Sequence, residues 1–196
     1  MKTINFSNVE PEVVFEGSKK NNPFQLPEIC FAGRSNVGKS SLVNSLLNKK
    51  KIAKVSNQPG HTKKVFFYTV CQAFIIVDLP GYGYANLSKR KKNFLSQLLF
   101  HYLTERKEIK IIFILIDARH GPKKNDLKFL EMLENFNLRY AFLFTKYDKL
   151  SSEKKSLLKS QIYDEELFNN KIKIFTSAKT KEGIKKLKSE IIKLIQ

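Results

Sequence analysis

One short stretch constrains the fold of this chain more than any other feature. Residues 33–40 read GRSNVGKS and satisfy every fixed position of the pattern G-x-x-x-x-G-K-[ST]. An apolar run at residues 29–32 precedes the stretch, and a helix-like run, SLVNSLL, follows it. A strand, a glycine loop and a helix in this order point backbone N–H groups and the positive end of the helix at an anion. The stretch therefore predicts a phosphate-binding loop in an α/β fold.

Two side chains of this loop have the chemistry that a nucleotide phosphate needs. Lys39 supplies a mobile cation for β- and γ-phosphates, and Ser40 offers a hydroxyl to Mg²⁺. We expect Lys39 to act in catalysis as well as in binding. The predicted phosphate-binding residues are Gly33, Arg34, Ser35, Asn36, Val37, Gly38, Lys39, Ser40 and Ser41.

Length and charge limit what the chain can be. With 196 residues and 42% hydrophobic content it is expected to form one main domain. The N-terminus has no apolar signal core. The two cysteines of the chain, Cys30 and Cys71, show no metal-binding pattern and are expected to be reduced, so a cytoplasmic protein is predicted. The net charge of +18 favours a polyanionic partner such as RNA. Solvated lysine-rich helix faces are the alternative reading of the same charge.

Apolar runs and helical stripes alternate along the chain. We divide it into an N-terminal extension, residues 1–22, with a short edge strand at Val13-Val14-Phe15, and a main domain, residues 23–196. The linker Cys71-Gln72 is so short that the two strands it joins must pair antiparallel. The expected architecture is three-layer α/β: a mixed, mostly parallel six-stranded sheet with one antiparallel edge strand and helices on both faces. The six predicted strands are 28–32, 64–70, 73–78, 110–117, 140–145 and 171–176.

Helices are predicted from apolar stripes. Ser88 is expected to cap a helix that runs to about Glu105. Phe94, Leu127 and Leu157 are each assigned to the buried stripe of a different helix.

A second motif follows the predicted strand 73–78. Asp78-Leu79-Pro80-Gly81 places a carboxylate at the strand end, where it can hold Mg²⁺ through water. The glycine three residues later lets its backbone N–H approach a γ-phosphate. D-x-x-G alone also describes an ordinary turn.

Two later segments predict a base-binding site. In Thr145-Lys146-Tyr147-Asp148, the aspartate can accept hydrogen bonds from the N1–H and the exocyclic amine of guanine, a donor pair that adenine lacks. The stem of Lys146 would cover the base plane. After the last predicted strand, small residues let a backbone N–H reach the guanine O6. The predicted residues there are Thr176, Ser177 and Ala178.

A threonine between the first helix and the hairpin completes the set. Thr62 can close over a γ-phosphate and ligate Mg²⁺, and its loop would then order with the triphosphate. Thr62 is therefore predicted to act in catalysis. The predicted metal-binding residues are Ser40, Thr62 and Asp78, and Asp78 would bind the ion through water. The nucleotide-binding residues predicted in this segment are Gly60, His61, Thr62, Lys63 and Lys64.

These motifs occur in the order that a GTPase requires, and the chain resembles the TRAFAC-class GTPases. More closely, it is similar to the EngB family in five segments. They are residues 33–41, 59–62, 78–85 (DLPGYGYA), 117–122 with Asp126, and 145–149. The resemblance implies a Ras-like P-loop fold, Mg²⁺-dependent hydrolysis of GTP to GDP, a role in large ribosomal subunit assembly, and a role in cell division and septation.

Two residues predict details of the chemistry. Tyr82 stands where Ras-like enzymes place a water-orienting glutamine, so slow intrinsic turnover and stimulation by a partner are expected. Asn36 could hold K⁺ near the β- and γ-phosphates, or only shape the loop.

Three other functions remain to be weighed against a GTP-hydrolysing assembly factor. One is an RNA- or ribosome-binding module with negligible hydrolysis. Another is a P-loop kinase or ATPase, but Asp148, which is predicted to select guanine, argues against it. A membrane-remodelling GTPase would need further helical domains. A monomer is expected.

Overall fold

The computed structural model describes residues 4–10, 13–15, 25–53, 64–83 and 88–196. In this part of the chain a seven-stranded sheet has the order β1-β3-β4-β2-β5-β6-β7. Only β3 runs antiparallel to its neighbours, β1 and β4. The strands are β1 Val13–Phe15, β2 Glu28–Gly33, β3 Val65–Val70, β4 Phe74–Asp78, β5 Ile109–Asp117, β6 Tyr140–Thr145 and β7 Lys173–Phe175.

Helices cover both faces of this sheet. Buried residues of α1 and α5 pack on one face, and those of α2, α3 and α4 on the other. The helices are α1 Lys39–Leu46, α2 Lys89–Glu105, α3 Lys124–Asn135, α4 Ser152–Asp164 and α5 Ile184–Ile195. Short 3₁₀ turns occupy Tyr147–Lys149 and Glu166–Phe168. The predicted three-layer α/β fold is confirmed.

The hairpin between β3 and β4 forms as predicted from its short linker. Cys71 and Gln72 both adopt positive φ values near 51°, and the backbone N–H of Ala73 donates to the carbonyl of Val70 at 2.9 Å, which closes a turn that matches strand twist. Because β4 begins at Phe74, the linker is one residue longer than predicted. The six predicted strands form the main sheet with β3 antiparallel, and the last of them is shorter than the predicted 171–176, at Lys173–Phe175. The edge strand expected at 13–15 also forms and pairs with β3, so β3 lies one position inside the edge.

The strand register brings the functional motifs to one edge of the sheet. Gly33 at the end of β2 lies opposite Leu115 of β5, and Asp117 at the end of β5 lies opposite Thr145 of β6. Asp78 ends β4, which is parallel to β2. Because parallel strands present their carboxyl ends at the same edge, ligands of such sheets bind there.

Three side chains assigned to buried helix stripes are exposed instead. Phe94 is 50% exposed, Leu127 46% and Leu157 59%, so these predictions were wrong. Each belongs to a helix that buries only a narrow stripe against the sheet, and each lies at the border of that stripe. The rest of the α2 stripe is buried as predicted, and Ser88 accepts a hydrogen bond from the backbone N–H of Lys91 at 3.4 Å.

Part of the predicted N-terminal extension packs on the main domain. Phe6 is 3% exposed and contacts Phe74 edge-to-face at 5.5 Å between ring centroids. Val9 forms an isolated antiparallel bridge with Val70. Among the helices of the described ranges, none has the length and apolar character needed to cross a membrane.

Candidate nucleotide-binding site

The loop between β2 and α1 has the conformation that its glycines permit. Gly38 precedes the first turn of α1 with φ of 105°, a conformation that L side chains rarely adopt. A Cβ on Gly33 would lie 2.8 Å from Val37 Cγ1 and 3.0 Å from Leu115 Cβ, so no larger residue fits there. Gly38 is therefore favoured by its backbone conformation, and Gly33 by the lack of space against Val37 and Leu115.

The charged residues of the first two motifs meet directly. Lys39 is buried, and its Nζ forms an ion pair with Oδ1 of Asp78, which is itself 2% exposed. Ser40 and Ser41 are half-buried in the first turn of α1. The three residues that follow Asp78, which are Leu79, Pro80 and Gly81, are buried as well. The phosphate loop and the D-x-x-G segment thus form one packed unit.

Residues of the base-binding motif hold the backbone of the phosphate loop. Thr145 Oγ1 donates to the carbonyl of Val37 at 2.6 Å. Lys146 Nζ donates to the carbonyl of Asn36 at 2.6 Å and lies 3.0 Å from Asp117 Oδ2. Asn36 has φ of 63°, and its side chain is exposed. The loop conformation therefore depends on contacts from the last residue of β6 and the residue after it, more than one hundred residues later in the chain.

Asp148 is held in place by the segment after β7. Ser177 Oγ donates to Asp148 Oδ1 at 2.6 Å. The same hydroxyl accepts the backbone N–H groups of Lys179 at 3.2 Å and Thr180 at 3.1 Å. Because the hydroxyl is anchored on two backbone groups, it fixes the orientation of the carboxylate.

One cavity of about 650 Å³ lies between α1 and the base-binding motifs and reaches the phosphate loop at Gly38, whereas Lys39 and Ser40 do not line it. Its size suits a ligand such as a nucleotide. Predicted site residues that line it are Gly38, Ser41, Thr145, Lys146, Asp148, Thr176 and Ala178. Tyr147 does not line it, since its ring packs in the core and its backbone N–H donates to the carbonyl of Thr176 at 3.1 Å.

Asp117 is a functional candidate that the sequence argument left without a role. Burial alone would raise the pKa of its carboxyl, but hydrogen bonds from Arg119 and Lys146 outweigh burial and hold the pKa well below its usual range. Arg119 donates to it through Nε at 2.9 Å and Nη2 at 2.7 Å. Asp117 thus anchors Lys146 beside the phosphate loop. Its position at the end of a buried strand, like that of Asp78, is the signal that could have identified it.

Some predicted site residues cannot be placed. Gly60, His61, Thr62 and Lys63 lie outside the described residues. Lys64 is exposed just before β3. Within the described ranges, no three His, Cys, Asp or Glu residues cluster as a metal site.

Comparisons with known proteins show which family this chain resembles. A family model described as "50S ribosome-binding GTPase" matches residues 28–146. The chain is 42% identical over 173 residues to a "Probable GTP-binding protein EngB" of Rickettsia bellii, which covers 88% of this chain and 82% of that protein. It is 43% identical over 137 residues to the protein of the same name from Prosthecochloris aestuarii, 70% of this chain and 71% of the other.

Solved structures show the same fold. A crystal structure of a probable GTP-binding protein EngB matches with a TM-score of 0.66 at 27% identity, and covers 86% of this chain and 98% of that one. Aquifex aeolicus Era bound to GDP and AlF₄⁻ matches with a TM-score of 0.70 at 20% identity, over 87% of this chain and 57% of that one. The solved structures confirm a P-loop GTPase fold, and the family model and the EngB relatives confirm GTP binding and GTP hydrolysis. The chain belongs to the EngB family of GTP-binding proteins.

Proposed function

We propose that this GTPase runs a Mg²⁺-dependent switch cycle and that its GTP-bound form docks on RNA of the large ribosomal subunit during assembly. The phosphate loop would bind the β- and γ-phosphates, with Lys39 neutralising charge that develops during phosphoryl transfer. Thr62 and Gly81 would sense the γ-phosphate, and Asp148 would select guanine.

The observation that best supports these roles is the shared cavity. It joins the N-terminal turn of α1 to Asp148 and Ala178 in a single space of about 650 Å³. A helix N-terminus attracts phosphate, and an oriented carboxylate can accept two donors from guanine. A guanine base in this cavity would lie beside Asp148, and its phosphates would lie towards Gly38 and the first turn of α1.

The residues present suit Mg²⁺. Ser40 offers a hydroxyl at the start of α1, and Asp78 a buried carboxylate. A small set of hard oxygen donors fits an ion whose remaining ligands are water and substrate phosphates. When bound, Mg²⁺ neutralises charge on the phosphate oxygens. Ser40 and Thr62 would hold it directly, Asp78 through water, and Asp78 also positions Lys39 through their ion pair.

Tyr82 supports slow hydrolysis without a partner. Its hydroxyl donates to Asp126 on α3 at 2.9 Å, so the phenol ring is held on α3. A phenol in this arrangement cannot orient water as a glutamine amide does. The same observation favours a second candidate function, a nucleotide-dependent RNA-binding module whose hydrolysis is incidental.

Charge and family description support the ribosomal partner. The chain has a net charge of +18, and the matched family model is described as ribosome-binding. We extend the proposal to cytoplasmic location, to a monomer with residues 23–196 as its GTPase domain, and to the role in cell division and septation that the EngB resemblance implies.

Nucleotide-dependent co-sedimentation with large ribosomal subunits tests the partner. We expect more protein in the pellet with a non-hydrolysable GTP analogue than with GDP. Raising salt from about 50 to 200 mM should lower the affinity at least tenfold if lysines contact several RNA phosphates. Equal pelleting with both nucleotides, or no dependence on salt, would contradict the proposal.

Single-turnover hydrolysis separates the two candidate functions. An assembly GTPase should hydrolyse GTP faster when large subunits are added, whereas a binding module should not. Lys39→Ala should abolish the stimulated rate, and Lys193→Ala, which changes an exposed lysine of α5, should leave it unchanged.

A further inference from the structure

Asp126 is a fully buried carboxylate outside the sequence motifs that bind nucleotide. It is the third residue of α3 and is 0% exposed. One oxygen accepts the backbone N–H of Lys123 at 2.8 Å. This contact satisfies a free donor at the start of the helix, which is an ordinary structural role. Its other two partners are not part of α3.

Those partners come from the two phosphate-facing segments. Arg34, the second residue of the phosphate loop, places Nε 3.1 Å from Asp126 Oδ2. Tyr82, which directly follows the D-x-x-G glycine, donates its hydroxyl to Asp126 Oδ1 at 2.9 Å. A single buried carboxylate therefore joins the phosphate loop, the D-x-x-G segment and α3.

Further contacts define where this arrangement holds the D-x-x-G segment. The Tyr82 ring stacks on Phe129 of α3, with centroids 4.6 Å apart and planes at 24°. The Tyr82 backbone N–H donates to the carbonyl of Gly33 at 3.3 Å. Burial, and secondarily the Asp126 charge, raise the pKa of Tyr82 well above its usual value, so the phenol remains a donor. Gly81 is thereby held beside the phosphate loop.

We propose that Asp126 is a positioning residue for the γ-phosphate response: by binding Tyr82 and Arg34 together, it preorganises Gly81 next to the phosphate loop. The inference rests on the proposed role of Gly81 as a γ-phosphate contact. Preorganisation lowers the ordering cost of binding. Only GTP has a γ-phosphate, so loosening the Asp126 contacts should weaken GTP binding while GDP binding is unchanged.

Tyr82→Phe is the decisive variant, because it removes the hydroxyl and keeps the ring that stacks on Phe129. We expect its Kd for a non-hydrolysable GTP analogue to rise about three- to tenfold, which is within the range of one ordinary hydrogen bond. Its Kd for GDP should stay within about twofold of the wild type. Fluorescent nucleotide titration measures both.

Tyr140→Phe is the matched control. Tyr140 also donates to a carboxylate of α3, Glu134 Oε1 at 2.6 Å, but at the opposite end of the helix from Asp126. It should change neither Kd. Asp126→Asn removes the ion pair with Arg34 and should lower the ratio of GTP affinity to GDP affinity, as Tyr82→Phe does. Thermal unfolding shows whether this variant folds.

The outcomes are distinct. If Tyr82→Phe lowers the affinity for GTP and for GDP equally, or changes neither, Asp126 has a structural role only and the inference is wrong. If the wild type itself binds GTP and GDP with equal affinity, the proposed γ-phosphate contact of Gly81 fails instead. Selective loss of GTP affinity in Tyr82→Phe, absent from Tyr140→Phe, supports the inference.

Discussion

Exchanging one atom of Asp148 should change which purine the site accepts. In the wild type, Ser177 Oγ donates to Asp148 Oδ1 at 2.6 Å. In Asp148→Asn the serine hydroxyl still needs an acceptor, so the amide oxygen takes the Oδ1 position and the amide NH₂ replaces Oδ2. The structure thus predicts the amide orientation: oxygen towards Ser177 and NH₂ towards the base.

This orientation exchanges one acceptor for one donor. The amide NH₂ would oppose the exocyclic amine of guanine, so a bidentate pair is lost. Such a pair contributes about 1–3 kcal/mol of discrimination, which corresponds to roughly 5- to 150-fold in Kd. Xanthine has a carbonyl oxygen in place of that amine and would accept from the NH₂. We therefore expect GDP affinity to fall by that factor and affinity for xanthosine diphosphate to rise.

Competition against a fluorescent guanine nucleotide, with unlabelled GDP, xanthosine diphosphate and ADP, measures the preference. Asp164→Asn is the matched control, because Asp164 is exposed and also accepts a serine hydroxyl, from Ser160 at 3.2 Å. It should leave all three affinities unchanged. An unchanged ratio of GDP to xanthosine diphosphate affinity in Asp148→Asn would refute the assignment of Asp148 as the base-reading residue.

Three further predictions concern the phosphate loop and its supports. Thr145→Val leaves the carbonyl of Val37 without its 2.6 Å donor and should lower the free energy of unfolding, measured in urea, by about 1–3 kcal/mol. Its control, Thr104→Val, removes an exposed 2.9 Å hydrogen bond and should lower it by less than about 0.5 kcal/mol. The pKa of Asp117 in the folded state lies below its unfolded value near 3.9, so the stability that this carboxylate contributes is complete above that pH and is lost as the pH falls. Asp117→Asn should therefore flatten the fall of the urea midpoint between about pH 5 and pH 3, and an unchanged fall would contradict this. If Asn36 holds K⁺, replacing K⁺ by Na⁺ should slow single-turnover hydrolysis, and equal rates would leave Asn36 with a shaping role only.

Much of the architecture was predictable because local patterns report it. The apolar runs of β2, β5 and β6 are typical of strands buried on both faces, and the short Cys71-Gln72 linker allows only an antiparallel pair. Burial at stripe borders was less predictable. Phe94, Leu127 and Leu157 match helical spacing, yet only the packing of each helix decides how wide its buried stripe is.

The roles of single residues could also be predicted from the order of the motifs along the chain. The glycine loop, D-x-x-G and T-K-x-D each follow a strand, and parallel strands bring their carboxyl ends together. The sequence alone therefore determined the α/β class, the edge of the sheet that binds nucleotide, and the residue types available there.

Only the tertiary structure decided which distant groups share a contact. Thr145 and Lys146, predicted to serve a base, bond the phosphate-loop backbone, and Ser177 orients Asp148. Asp126 joins two segments from which it is separated by more than forty residues. Such contacts depend on strand register and helix placement, which arise from packing across the whole sheet, and no local pattern encodes them.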